Sequence, residues 1–386
     1  MWQRLWRSKA RREALRMRKR LRSSRAQEGR AQAQRLRQRL RREVRMLQYF
    51  AFQWHITDYC DQRCKHCYIF AEGHPKLITV SLPDARRVVD NCVDMCSRME
   101  ERVPYFYITG GDPVLHPQIW EILGMLKERR IPFTILGNPF HLTDEVCSRL
   151  KSYGCEKYQL SIDGNRETHD WMRKPGSYDC TLEKIAVLHK AGIRVAVMTT
   201  VSAVNADQME EIIDTVVAYK ADVFAFGRYC PTSTEKSAHL SPARYRDVLD
   251  RCWKKFQQYK DSGTYFNLKD HLWTLYLYEN GLFKIPEGLS DDLIYDGCNC
   301  GNCHFTICPN GDVMACRRFD SIVGNVRKTP LYELWTGPGM EKLRQYDKFE
   351  KCRRCELLRF CRGCPAVTYG YTHDFYAPDP QCWKEV

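Results

Sequence analysis

Residues 49–68, YFAFQWHITDYCDQRCKHCY, decide how this chain is read. The run Tyr49–Thr57 is rich in β-formers and predicts a first strand. Directly behind it stand Cys60, Cys64 and Cys67, spaced by four and then three residues. Three thiolates so spaced can wrap one face of a cuboidal iron–sulfur cluster, and three ligands for four irons leave one iron open to something that reacts. The alternatives are a zinc knob or unrelated core thiols. A zinc site would normally show a fourth Cys or His at matched spacing, and His66, adjacent to Cys67, is badly placed for that.

Downstream, short β-rich runs alternate with amphipathic helical stretches. Strands are predicted at Tyr49–Thr57, Tyr105–Thr109, Phe133–Leu136, Tyr158–Ile162, Arg194–Val201 and Val223–Tyr229. Helices are predicted at 83–101, 117–130, 143–152, 178–191 and 207–220, with Pro83 and Pro117 near helix starts, where a missing N–H costs nothing. Regular βα alternation implies an α/β fold with a parallel sheet and right-handed crossovers. Six units make a partial (β/α)6 barrel, short of the eight needed for closure. The expected organisation is a basic helical extension (1–48), the partial barrel (49–240), a helical connector (241–297) and a small Cys-rich domain (298–386). Within the last, Pro309-Asn310-Gly311-Asp312 reads as a hairpin turn. So short a segment could hardly build a core unaided, so metal should organise it.

Composition sets the outer bounds. In 386 residues, 44% apolar and 12% aromatic content excludes disorder throughout. No apolar run reaches the length of a membrane-spanning helix. The N-terminus lacks a signal-peptide h-region, which points to a cytoplasmic protein. Residues 1–48 hold 18 Lys/Arg against Glu13, Glu28 and Glu43, a charge of +15 in a chain of +14, so the remainder is close to neutral at −1. All the basicity lies in the extension. Leu36, Leu40, Val44 and Leu47 fall on one helical face there, suited to packing on the barrel. A solvated helix, a dock for an acidic leader peptide, and contact with RNA or an anionic membrane are the readings of its charge. Twenty cysteines in a reducing compartment read as metal ligation rather than disulfides.

The CxxxCxxC loop closed by Tyr68 resembles the signature of the radical S-adenosylmethionine (radical SAM) enzymes. The likeness continues in order along the chain. Gly110-Gly111-Asp112-Pro113 is similar to the family's GGEP loop, which holds the methionine amino group, with Asp112 in place of the usual Glu. Ser161-Ile-Asp163 resembles the Ser/Asp pair on the ribose hydroxyls. The stretch from His169 through Arg173 to Gly176 resembles the HDxxR…G segment, and Val201 to Asn205 is where the adenine usually rests. The resemblance spans about residues 50–230.

A second likeness covers the C-terminal segment. Cys300-x10-Gly311-x4-Cys316, then Cys352-x2-Cys355-x5-Cys361-x2-Cys364 and finally Cys382, resembles the SPASM domain, a seven-Cys module on radical SAM enzymes that modify peptides and proteins. The family's last internal spacing is generally three residues; here it is two. The resemblance implies two auxiliary [4Fe–4S] clusters, one on Cys352, Cys355, Cys361 and Cys382. The other falls on Cys300, Cys316 and Cys364, with a fourth ligand from Cys298, Cys303 or Cys308. On spacing alone a pair of structural zinc sites fits equally. Of the remaining cysteines, Cys92, Cys96, Cys147, Cys155, Cys180 and Cys252 read as buried small apolar residues, and Cys230 as a candidate to face the cavity.

Together these likenesses imply an oxidoreductase that cleaves S-adenosylmethionine (SAM) reductively to a 5′-deoxyadenosyl radical. The radical abstracts hydrogen from a ribosomally synthesised precursor peptide, leaving a net oxidation such as a cross-link. Its electrons would come from a donor such as flavodoxin or ferredoxin. A sulfatase-maturase-like enzyme shares the architecture, but in that family an acidic base follows the cysteine that here precedes Arg317. An RNA-binding iron–sulfur protein is the third reading, and the seven-Cys module is not what RNA-modifying radical SAM enzymes usually carry. The acid–base residues beside the substrate are not legible.

Overall fold

The computed structural model describes residues 49–70, 77–99, 102–231, 238–290 and 293–386. The expectations for residues 1–48 lie outside them. β1 (Tyr49–Thr57) places Phe50, Phe52, Trp54 and Ile56 on one face, all fully buried. Beside it in sequence order lie β2 (Val103–Gly110), β3 (Phe133–Leu136), β4 (Lys157–Ser161), β5 (Arg194–Val201) and β6 (Val223–Arg228). The pairs from β2 to β6 are parallel, as βα alternation requires.

The intervening helices start where local chemistry dictates. Helix Leu82–Arg98 is capped by Ser81, whose hydroxyl accepts from the Asp84 N–H, and it carries Pro83 in its first turn. It buries Val88, Val89, Cys92, Met95 and Cys96. Thr143 caps Asp144–Ser152 and Asn165 caps Arg166–Met172 in the same way. The second of these helices was not expected from sequence. Its seven residues are too few to show a period.

Two further strands extend the sheet. β7 (Tyr265–Asn267) pairs parallel with β6, inside the stretch predicted as a helical connector. That expectation is corrected: helices Pro242–Gln258 and Leu272–Glu279 flank a three-residue edge strand whose signal they swamp. β8 (His304–Ile307) pairs parallel with β1, Ala51 opposite His304 and Trp54 opposite Ile307. β9 (Asp312–Met314) and β10 (Ile322–Asn325) follow antiparallel, and the expected turn joins β8 to β9 with Gly311 at φ +88°. The Cys-rich segment therefore continues the barrel sheet and shares its core. Trp335 meets the rings of both Phe50 and Phe305 edge-on, at 4.8 and 5.4 Å between centroids. Residues Phe50–Val386 form one unit. Among the described residues no helix is long and apolar enough to cross a membrane.

Candidate active site

The three cysteines behind β1 come together. Cys60 and Cys67 both act on the Cys64 thiol, which burial pushes up to about 11. Asn138 Nδ2 donates to Cys60 Sγ at 3.2 Å and the Gln62 N–H donates to it at 3.4 Å. Arg173 Nη1 lies 3.9 Å from Cys64 Sγ. Were a cluster held here, these thiols would bind it as thiolates, which the two donors and the Arg173 cation would stabilise. Asn138, on the loop after β3, carried no motif that would have singled it out.

Gly110 and Gly111 close on this loop from the end of β2. A Cβ on Gly110 would meet Thr57 O at 2.0 Å, and one on Gly111 would meet Tyr59 O at 2.1 Å. The Gly111 N–H donates to Thr57 O and the Asp112 N–H to Tyr59 O, both at 2.7 Å. Sequence reasoning assigned these glycines to a ligand's approach; the structure adds that the chain itself needs them bare. Asp112 is fully buried. Its Oδ1 accepts from the Val114 N–H at 3.3 Å as the cap of the turn Pro113–Leu115, while Oδ2 has no partner among the described residues. Burial pushes its carboxyl up to about 7. An orphaned carboxylate oxygen in a water-poor loop fits the ammonium of a bound SAM.

Ser161 ends β4, and Asp163 follows it, fully buried. Asp163 Oδ2 takes Arg173 Nε at 2.5 Å, Oδ1 takes the Thr200 N–H at 2.8 Å, and His66 Nε2 lies 3.8 Å away. Burial opposes the charge, yet Arg173 and His66 outweigh it and hold the carboxyl below its ordinary value. Both oxygens thus already have protein partners. His169 supports the same residue, accepting from the Asp163 N–H at 3.0 Å, and burial lowers its imidazole to about 4. Asn205 Nδ2 donates to the carbonyls of Asp163 and Thr200, fixing the loop beyond the buried Val201.

Tyr68 faces the C-terminal segment. The Arg317 guanidinium sits over its ring at 5.2 Å, and Gln53 Nε2 donates to its hydroxyl at 3.5 Å. Lys269, just beyond β7, places Nζ 3.9 Å from Met198 Sδ.

The remaining thiols form two sets. Burial pushes the thiols of Cys352, Cys355 and Cys361 up, and Cys382 stands close enough to act on all three. Cys298, Cys300, Cys316 and Cys364 form a second set: the Cys298 contact and burial push Cys300 up, burial pushes Cys316 up, and hydrogen bonds from neighbouring thiols hold Cys298 and Cys364 down. Of the three candidates for its fourth position, Cys298 is the one that joins. Its side chain contacts Cys300 and accepts a hydrogen bond from His271. Cys308 turns to Met314, 3.8 Å from its Sδ, and the carbonyl of Cys303 accepts from the Ala51 N–H. Arg318 Nη2 lies 3.8 Å from Cys364 Sγ. Neither His271 nor Arg318 was legible beforehand, since both reach the thiols only through the fold. Cys92, Cys96, Cys147, Cys155 and Cys252 are fully buried, as expected, and Cys180 half-buried.

The radical SAM superfamily profile matches residues 54–216, and an iron–sulfur cluster-binding (SPASM) domain matches 298–356. The chain is 28% identical over 347 residues to an AdoMet-dependent heme synthase of Nitratidesulfovibrio vulgaris, covering 85% of this chain and 90% of that protein. It is 25% identical to the mycofactocin maturase MftC of Mycobacterium tuberculosis, covering 85% and 81%. Streptococcus suis SuiB bound to S-adenosylmethionine shares its fold, with a TM-score of 0.69 at 18% identity, over 90% of this chain and 82% of that one. The chain therefore carries a radical SAM domain and a SPASM domain and is an enzyme. Its cofactors are SAM, a SAM-binding [4Fe–4S] cluster and auxiliary iron–sulfur clusters.

Proposed function

We propose that this enzyme oxidatively modifies, by cross-linking, a ribosomally synthesised peptide. In this reading Cys60, Cys64 and Cys67 hold the SAM-binding cluster. Cys298, Cys300, Cys316 and Cys364 hold one auxiliary cluster, and Cys352, Cys355, Cys361 and Cys382 the other. When bound and reduced, the first cluster and SAM together supply a 5′-deoxyadenosyl radical. The chain's own residues position and protect. Asp112 Oδ2 receives the SAM ammonium, and the Gly110–Gly111 turn holds that carboxylate against the cysteine loop. Arg173, fixed by Asp163, supplies positive charge beside Cys64. Val201 and the Asn205-braced loop wall off the adenine, and Ser161 lies on the ribose side. The buried walls of the barrel exclude the water that would quench a radical.

One observation carries the reading. The Arg317–Tyr68 contact joins the residue after Cys316 to the residue after Cys67. In this reading the loops carrying the two thiol sets meet there, so an auxiliary cluster is placed to take up an electron left on an oxidised substrate. Net oxidation fits clusters in that role. Likeness to MftC supports a peptide substrate, and a basic leader dock on residues 1–48, a flavodoxin or ferredoxin donor and a cytoplasmic location complete the proposal. Arg317, where a sulfatase-maturase-like enzyme has an acid, speaks against that alternative. A second reading has its own support: the heme synthase relative shares more identity than MftC, which favours a tetrapyrrole substrate.

The test is direct. Reduced enzyme and SAM are incubated with short peptides encoded beside the gene, and in parallel with iron coproporphyrin III. A peptide made lighter by paired hydrogens, with matching 5′-deoxyadenosine, supports the first reading. Turnover of the porphyrin alone replaces it with the second.

A further inference from the structure

The auxiliary site built on Cys298, Cys300, Cys316 and Cys364 has a fifth thiol, and it comes from the barrel. Cys230 lies two residues beyond the end of β6 and is 7% exposed. Its side chain contacts that of Cys364, and Cys316 stands close enough to act on it as well. Arg318 ties the two sides together. Its Nη1 donates to Arg228 O at 3.4 Å and its Nη2 approaches Cys364 Sγ at 3.8 Å. The sulfur of Cys230 itself lies 3.8 Å from the same Arg228 carbonyl. Cys230 lies beside the sulfur of Cys364 and within reach of the Arg318 guanidinium.

Both flanks of this pair are pinned. Cys364 cannot drift, because its N–H donates to Asp379 Oδ2 at 2.8 Å and Gly363 before it, at φ +60°, would carry a Cβ 2.6 Å from that oxygen. On the other side, Pro231 presses on Gly370, where a Cβ would meet the Pro231 carbonyl at 2.4 Å. Cys230 and Cys364 are thus presented to the same corner of the site by two rigid supports. A cubane takes four sulfur ligands, so five thiols leave one in reserve.

We propose that Cys230 and Cys364 serve the same iron of this auxiliary cluster, either thiol able to ligate it when the other is absent. The set then spans the barrel and the C-terminal segment. This rests on the reading that Cys298, Cys300, Cys316 and Cys364 bind a cluster. Iron and acid-labile sulfide are counted on the full chain after anaerobic reconstitution, for wild type, Cys230→Ala, Cys364→Ala, the double variant and Cys300→Ala. The reduced auxiliary cluster is followed by electron paramagnetic resonance, and far-UV circular dichroism confirms that each variant is folded.

With three cubanes the wild type carries about 12 irons. Each single variant at 230 or 364 is expected to keep about that number, with Cys364→Ala showing an altered resonance. The double variant is expected to fall to about eight. A folded Cys364→Ala at about eight irons overturns the proposal, because Cys230 then does not ligate. So does Cys230→Ala at about eight, which would make Cys230 obligatory, and so does a double variant at about 12. If Cys300→Ala retains the wild-type iron, the underlying cluster assignment fails instead, independently of Cys230.

Discussion

Arg228 and Asp379 form a buried two-pronged ion pair, Nη1 to Oδ1 at 2.7 Å and Nη2 to Oδ2 at 2.9 Å, with neither side chain more than 1% exposed. Arg228 Nε also reaches Asp270 Oδ2 at 2.9 Å, and Nη1 reaches Gln381 Oε1 at 3.0 Å. One guanidinium at the end of β6 thus holds the loop after β7 and the segment leading to Cys382. Because Asp379 also accepts from the Cys364 N–H, the same network positions a thiol of each auxiliary set. Bidentate geometry is what makes arginine the residue for this place.

Removing that guanidinium leaves two carboxylates buried without charge compensation, a loss of about 3–5 kcal/mol for a broken buried pair. Arg228→Ala is therefore expected to lower the thermal midpoint and to lose C-terminal iron while the SAM-binding cluster keeps its own. Arg228→Lys restores one contact and not the fork, so it should recover little. Iron counting with differential scanning calorimetry checks both.

Gly110→Ala and Gly111→Ala each drive a methyl into backbone oxygen about 2 Å away, and at Gly110 the φ of +140° adds strain. The displaced loop takes Asp112 with it. SAM affinity should fall by at least about tenfold, ~1.4 kcal/mol, with about four irons still bound on Cys60, Cys64 and Cys67. Equilibrium dialysis with labelled SAM beside an iron count measures the two together.

Asp112 gives the pH dependence. Its folded carboxyl titrates near 7 because burial penalises the charge, against an ordinary value of 3.8. Between those values the folded chain holds a proton the unfolded chain has released, so stability falls as pH rises through that window. A ligand ammonium on Oδ2 offsets the penalty once the carboxylate is ionised. SAM should therefore raise the thermal midpoint more at pH 8 than at pH 6, and Asp112→Asn should flatten the difference. Thermal shift at the two pH values reads it out.

Cys298, Cys303 and Cys308 stand within eleven residues, and of these Cys298 contacts Cys300 directly. Cys298→Ala should cost about four irons, whereas Cys303→Ala and Cys308→Ala should cost none. A His271→Ala variant should keep the cluster and shift its reduction potential, since it removes a hydrogen bond to a ligating sulfur. Spectroelectrochemical titration of the auxiliary signal checks this last point.

Much of the architecture is legible because β1 to β6 are local signals. Phe133–Leu136 and Arg194–Val201 emerge with the predicted bounds, since each is a short apolar β-branched run between turn residues. The Cys60, Cys64 and Cys67 run is legible because its spacing is local, whereas the two C-terminal groupings join residues far apart in sequence and follow only from the family resemblance. What escapes is whatever depends on distant pairing. β7 has three residues, and its strand character comes from its neighbour β6. β8 is a strand because β1 lies open beside it. Asn138, His271, Arg318 and Cys230 reach the thiols from loops whose convergence no spacing encodes. Asp163 shows the reverse limit: its importance is written in the motif, but its engagement by Arg173 and Thr200 is not.

The most direct test of a SAM-cleaving enzyme with three clusters is an iron and sulfide count on the anaerobically reconstituted chain, compared with the Cys60/Cys64/Cys67 triple Ala variant. Each is then given dithionite and SAM. The account predicts about 12 irons per wild-type chain and about eight in the variant. It also predicts 5′-deoxyadenosine release by the wild type and none by the variant. Iron near zero in the wild type, or undiminished 5′-deoxyadenosine from the triple variant, would contradict it.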